Sequence, residues 1–183
     1  VKKGEKIADS KSFVSSPIHA SVSGKVVSIE KMPHPAGSGV TAIVVKREDG
    51  KIAGQIGDDD SGESEVWGGE NEDFAVSSLR AEDILGKIRE AGIVGLGGAA
   101  FPTHVKLSPP KDKPIDAIIL NGCECEPYLT NDHRIMLERA EDCICGLKVI
   151  IKAAGAKSGY VGIEENKPQA IALFRDKLKE ESD

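Results

Sequence analysis

Aromatic residues are scarce in this chain: four Phe, two Tyr and one Trp make up 4% of its 183 residues. Its core must therefore be built from aliphatic side chains, with the few aromatics in individually meaningful places. Long apolar runs are missing too. Those around Ile115–Leu120 and Leu147–Ala154 fall far short of the roughly 20 residues a membrane helix needs, and no signal-peptide pattern is visible. No direct membrane insertion is expected, so any membrane role is peripheral. Basic excess is absent: 24 Lys and Arg face 30 Asp and Glu, for a formal net charge of −6. That leaves no basic stripe to neutralise nucleic-acid phosphates. Cysteine occurs as two C-x-C pairs, Cys123/Cys125 and Cys143/Cys145. Zinc sites use C-x-x-C, and iron–sulfur runs use three or four close cysteines. No metal site is expected, and reduced thiols fit a cytoplasmic compartment.

Glycine, by contrast, is concentrated in Gly92-Ile93-Val94-Gly95-Leu96-Gly97-Gly98-Ala99-Ala100-Phe101-Pro102-Thr103-His104-Val105-Lys106. Glycines bare their backbone N–H groups, so such a loop can wrap a phosphate or lie flat on an aromatic ring. Pro102 at the start of a following helix would aim that helix's free N–H groups at the same anion. A P-loop is excluded because Gly98 is followed by Ala99 where the Walker pattern needs lysine. Gly95, Gly97 and Ala100 nearly match G-x-G-x-x-G/A, but that fingerprint follows a strand, and Glu82–Ala91 has helical periodicity. A nucleotide cradle and a plain glycine turn capping that helix both stay open on spacing alone.

Residues 1–56 form a β-rich region, with strands expected at Phe13–Val14, Val22–Ile29 and Val40–Lys46. Residues 57–77 are an expected acidic linker. Its Asp58-Asp59-Asp60 lacks the alternating spacing and closing glutamate of a calcium loop, and Trp67 would pack it onto one neighbour. Residues 78–183 alternate helices and strands, the order of an α/β domain. Ile84, Leu85, Ile88 and Ala91 share a helical face before Gly92, and Pro102–Leu107 can form a short helix. A buried-type strand, Asp116–Leu120, ends at Asn121-Gly122. A helix capped by Thr130 or Asn131 should run to about Glu138 and a second should start at Asp142, with Cys143, Leu147, Ile150 and Ala154 inward until Gly155. Gly159–Ile163 is a second strand, and Pro168 opens a last helix with Ile171, Phe174 and Leu178 on its face.

Val1-x-x-Gly4-x-x-Ile7-Ala8 followed by Pro17-Ile18-x-Ala20-x-Val22-Ser23-Gly24-Lys25-Val26-Val27-x-Ile29 resembles the barrel-sandwich hybrid of biotinyl and lipoyl carrier domains. The Met-Lys-Met tip of those carriers is missing, so a structural or docking role is expected rather than a modified Lys11. Gly95–Lys106, Asn121-Gly122-Cys123-Glu124-Cys125-Glu126-Pro127 and Tyr160-Val161-Gly162-Ile163-Glu164-Glu165 resemble the flavin-binding subunit of respiratory complex I. They are closer still to the RnfC family of the Rnf electron-transport complex.

The resemblance implies a two-domain α+β and α/β chain, a small barrel-sandwich hybrid followed by a C-terminally incomplete flavin-binding domain of the complex I type. It implies FMN along Gly95, Gly97 and Gly98, with Lys106 at its phosphate. Asn121, Glu124 and Cys125 would lie at the flavin, and Gly162, Glu164 and Glu165 would close the pocket. Phe101 and Glu126 would belong to the NADH side. It assigns no catalytic side chain.

The implied function is an NADH-oxidising flavoprotein subunit of a membrane electron-transport complex. Hydride would pass from NADH to FMN, and single electrons would pass to 4Fe–4S clusters beyond this chain, an expected N-terminal fragment. Other subunits of the complex would be its partners, at the cytoplasmic face of the cell membrane. A cobalamin reductase of propanediol utilisation with the same domains, and a non-catalytic docking module, are the alternatives. Departures from the complex I pattern are Leu96 for an arginine, Ala100 for a glycine, and Cys123 and Cys125 for Asp and Ser. Ala100 requires either an ordinary negative φ or some strain.

Overall fold

The computed structural model describes residues 1–34, 37–47, 76–97 and 99–180. Residues 57–75 of the expected linker, including Asp58, Asp59, Asp60 and Trp67, and Gly98 of the glycine loop lie outside the described residues. The chain divides into two compact units, Val1–Phe74 with Glu90–Val94, and Ala75–Arg89 with Gly95–Asp183.

In the first unit β1 (Lys6–Ala8) pairs antiparallel with β2 (Ile18–His19), and β3 (Gly24–His34) with β4 (Gly37–Arg47). The β3–β4 register places Val26 opposite Val45, Ile29 opposite Ile43 and Met32 opposite Val40, the apolar cross-strand pairs that stabilise a ladder. Among the described residues these are two separate two-stranded sheets, not a closed barrel. The strand expected at Phe13–Val14 is a bend instead. The Ser12 N–H donates to Ser10 Oγ at 3.2 Å, and Ser15 Oγ donates to the Ser12 carbonyl at 2.5 Å. Serine hydroxyls thus offer the backbone partners that a strand ladder would otherwise supply.

The second unit contains α1 (Ala81–Glu90), α2 (Thr103–Lys106), β5 (Ala117–Gly122), α3 (Asn131–Glu138), α4 (Ala140–Ala154), β6 (Ser158–Ile163) and α5 (Pro168–Glu180). Strands β5 and β6 pair in parallel, the arrangement that a helical crossover allows. Helix α4 begins at Ala140, earlier than expected, so Glu141 and Asp142 fall in its first turn, where the helix dipole favours them. It ends at Gly155, whose φ of 68° is left-handed. Its buried stripe is Ala140, Ile144 and Leu147, with Ala153 beyond. The expected Cys143 is only half-buried at the margin of that face.

Two apolar clusters meet on α4. Met136, Ala140, Ile144, Ala170 and Phe174 form one, joined by Leu120, Val161 and Ile163 from the strands. Ile84, Leu107 and Ala153 form the other, with Leu85, Ile88, Val149 and Ile150 beside them. The amino-terminal half of α4 therefore holds the strands and α5, and its carboxy-terminal half holds α1 and the end of α2. Glycines let the helices approach the strands: a Cβ on Gly122 would lie 2.7 Å from Met136 Sδ, and one on Gly159 2.5 Å from Ile151 Cδ1. On α5 the inward face is Ala170 and Phe174, while Leu178 stays 39% exposed.

Among the described residues Phe174 is the one aromatic in this core, and it is 2% exposed. Phe174→Ala should lower the unfolding free energy by about 3–5 kcal/mol through lost transfer energy and the cavity left behind, measurable as a shift in the urea midpoint.

Candidate functional site

The site is built on the in-register pairing of β5 and β6. Asn121 lies opposite Gly162 and Gly122 opposite Ile163, so segments some forty positions apart end side by side. Asn121-Gly122, where the strand is expected to end, are its last two residues, because each finds a ladder partner on β6. The carboxyl edge of parallel strands is where α/β folds place ligands. Asn121, Cys123–Pro127 and Gly162–Glu165 all gather there. Glu165 and Asn166 beside it are exposed and Glu164 is half-buried, around an open concavity of about 590 Å³.

Asn121 is oriented before any ligand arrives. Its Oδ1 accepts the Cys123 N–H at 3.0 Å, which leaves the exposed side-chain NH₂ group as a pair of outward donors. Cys123, Cys125 and Glu126 are exposed. Cys125 Sγ lies 3.7 Å from the Cys123 carbonyl.

Glu124 behaves differently from its neighbours. Across Cys123–Asn131 it alone is buried, with 2% of its side chain exposed. Its Oε1 accepts the Asp132 N–H at 2.8 Å, near the start of α3. Thr130, the N-cap residue, makes no side-chain cap bond, so a carboxylate from the preceding loop replaces it and also suits the dipole. Glu124 Oε2 has no hydrogen bond, but lies 3.5 Å from Lys167 Nζ, whose side chain is 16% exposed. The Lys167 N–H in turn donates to the Glu164 carbonyl at 3.0 Å. Sequence reasoning does not single out Lys167. The available signal is a lysine immediately before Pro168 at the start of α5, where a cation opposes the helix dipole unless an anion offsets it.

The glycine loop is shaped by its own local bonds. The Gly95 N–H donates to the Phe101 carbonyl at 3.0 Å and closes the loop, so this amide points inward. Gly97 has open space where a side chain would stand, and Leu96 is 96% exposed. Ala100 has a φ of 51°: it takes the strained alternative, in the left-handed region that glycine occupies freely. Lys106, at the last position of α2, is exposed and its ammonium has no ion-pair partner among the described residues.

Elsewhere, a concavity of about 840 Å³ lies in the first unit, lined by Ile7, Ile18, Ile43 and Val45 among others. It is the gap between two short sheets and holds none of the residues expected at the flavin or NADH. Among the described residues no three His, Cys, Asp or Glu side chains cluster to hold a metal. Burial, aided by Asp142 and partly opposed by Arg139, pushes the Cys143 thiol up from its ordinary value.

Residues 88–183 match the family model of the Nuo51 FMN-binding domain, and residues 1–51 match that of the RnfC barrel-sandwich hybrid domain. The chain is 49% identical over 175 residues to the C subunit of the proton-translocating ferredoxin:NAD(+) oxidoreductase complex of Clostridium ljungdahlii, covering 96% of the chain and 35% of that relative. It is 44% identical over 168 residues to the C subunit of the Na(+)-translocating ferredoxin:NAD(+) oxidoreductase complex of Acetobacterium woodii, covering 92% of the chain and 35% of the relative. To the C subunit of the ion-translocating oxidoreductase complex of Rhodobacter capsulatus it is 39% identical over 173 residues, covering 93% and 31%. The chain thus spans about a third of the length of these curated relatives. The resemblance carried by the three motif segments and the N-terminal β pattern is borne out.

Two measurements bear on the local chemistry. Left-handed alanine costs roughly 1–2 kcal/mol, part of which returns as unfolded-chain entropy when glycine replaces it, so Ala100→Gly should stabilise the chain by about 0.5–1 kcal/mol in urea unfolding. Iodoacetamide should modify Cys143 more slowly than exposed Cys145, with a rate still rising at pH values where an ordinary thiol has levelled off.

Proposed function

The chain belongs to the Nuo51 FMN-binding domain family, and from that premise we propose that it is an FMN-binding, NADH-oxidising part of a subunit of an ion-translocating oxidoreductase complex. The observation that carries this reading is the register of β5 and β6, which sets Asn121 beside Gly162 and gathers two of the three motif segments at one strand edge. The residues suit the cofactor. Asn121 presents N–H donors to a flavin's carbonyl edge, Lys106 offers a phosphate an ammonium that has no ion pair among the described residues, and Gly97 leaves room for a flat ring. Gly95 contributes by closing the loop, and the expected role of Gly98 along the flavin rests on the resemblance alone. Bound FMN supplies hydride acceptance and one-electron release.

The chain's own residues bind and orient. Glu164 and Glu165 offer carboxylates to hydroxyl groups beside the strand edge, with Gly162 keeping that edge low, and Cys125 borders the same loop. Phe101, 43% exposed, offers a stacking face to NADH, and exposed Glu126 accepts hydrogen bonds from its ribose. 4Fe–4S clusters carried elsewhere in the assembly, at the cytoplasmic face of a membrane, would supply one-electron acceptance. No helix among the described residues is long and apolar enough to cross one. Residues 1–56 and 78–183 serve as the docking and flavin domains, joined by the linker at 57–77.

A docking role for the first unit is favoured by a specific observation: Val27 is 53% and Ile29 66% exposed on β3. Ile29→Asp should abolish co-purification with the other subunits while leaving FMN affinity unchanged; retained co-purification would refute this role.

FMN titration followed by flavin fluorescence, then anaerobic NADH addition, tests the main reading. Binding followed by bleaching is expected, and absence of binding overturns it. Lys106→Ala should weaken FMN by about 1.5–3 kcal/mol, the worth of a charged hydrogen bond. Unchanged affinity would remove Lys106 from the phosphate.

A further inference from the structure

The two loops at the carboxyl edge of β5 and β6 are linked by one ion pair, between the buried carboxylate of Glu124 and the partly buried ammonium of Lys167. We infer that Lys167 is a positioning residue for the flavin site: it acts through Glu124 to hold the Asn121–Pro127 loop against the Gly162–Lys167 turn. This rests on the FMN reading above.

Three observations support it. Glu124 is the single buried side chain across Cys123–Asn131, so it is the point at which that loop is anchored. Its two carboxylate oxygens serve different elements: Oε1 takes the Asp132 N–H at 2.8 Å at the start of α3, and Oε2 lies 3.5 Å from Lys167 Nζ. Lys167 then fixes the other loop through its backbone, donating to the Glu164 carbonyl at 3.0 Å. Neither partner tolerates being alone. A carboxylate with 2% exposure needs a cation and a donor. A lysine at the head of α5 needs an anion to offset the helix dipole. Because the anchor sits three residues from Asn121 and Lys167 three from Glu164, a shift at the pair moves both sets of ligand-facing groups together.

A double-mutant cycle tests this on the chain as it stands, with Lys167→Met, Glu124→Gln, the double variant and Lys167→Arg. Folding is checked by circular dichroism, and FMN affinity is read by fluorescence. Lys167→Met and Glu124→Gln should each raise the FMN Kd about tenfold, the double variant no further than the worse single one, and Lys167→Arg should restore near wild-type affinity. Unchanged affinity in Lys167→Met, or effects that multiply in the double variant, overturns the inference. If the wild-type chain itself fails to bind FMN, the flavin reading falls and the pair is judged on the loop alone by the alkylation rate of exposed Cys125. Equal, non-additive acceleration in the two single variants upholds the link, and unchanged rates overturn it. If Glu124→Gln does not fold, Lys167→Met against Lys167→Arg decides by the same readouts.

Discussion

Parallel pairing of β5 with β6 in a single register is the constraint on which the second unit depends. A slip of β6 by one residue would turn Val161 and Ile163 away from Phe174 and Ile144 and move every side chain of that strand to the opposite face. It would also separate Asn121 from Gly162. The same hydrophobic contacts that fix the register therefore fix the site.

Helix α4 makes this economical. Its first half packs with the strands and α5, its second half with α1 and Leu107. Gly122 and Gly159 let helices come close enough to exclude water, because any side chain there would strike Met136 or Ile151. Against this packed support the loops at the strand edge are exposed, and they hold their shape by polar means: an internal hydrogen bond at Asn121 and a buried carboxylate at Glu124. Such polar anchors are directional, which suits groups that must meet a ligand at defined positions. The strained φ of Ala100 belongs to the same pattern of local strain carried by a packed scaffold beside a candidate site.

Legibility in the sequence follows periodicity. The helices at Ala81–Glu90, Asn131–Glu138 and Pro168–Glu180 and both strands of the parallel pair are readable within a few residues, because apolar spacing and Gly or Pro stops encode them locally. Phe13–Val14 reads wrongly as a strand, since its hydrophobicity says nothing of the serine hydroxyls that bend the chain. The expected inward face of α4 is off by one residue at Cys143, because two clusters share that helix and widen its apolar stripe. Asn121-Gly122 looks like a turn, as that dipeptide usually is, and only a partner strand could show it to be ladder.

By itself the sequence determined which segments carry the family resemblance: the glycine loop with Lys106, the Asn121–Pro127 stretch, and Tyr160–Glu165. Those are local patterns of residue type, and all three segments lie within the residues that match the Nuo51 FMN-binding domain model. Tertiary structure alone decided that Glu124 turns inward while Cys123, Cys125 and Glu126 face solvent, and that its partner is Lys167, forty-three positions away. The reason is physical. A carboxylate's role depends on which donors surround it after folding, and nothing in residue order brings the start of α3 and the head of α5 to the same side chain.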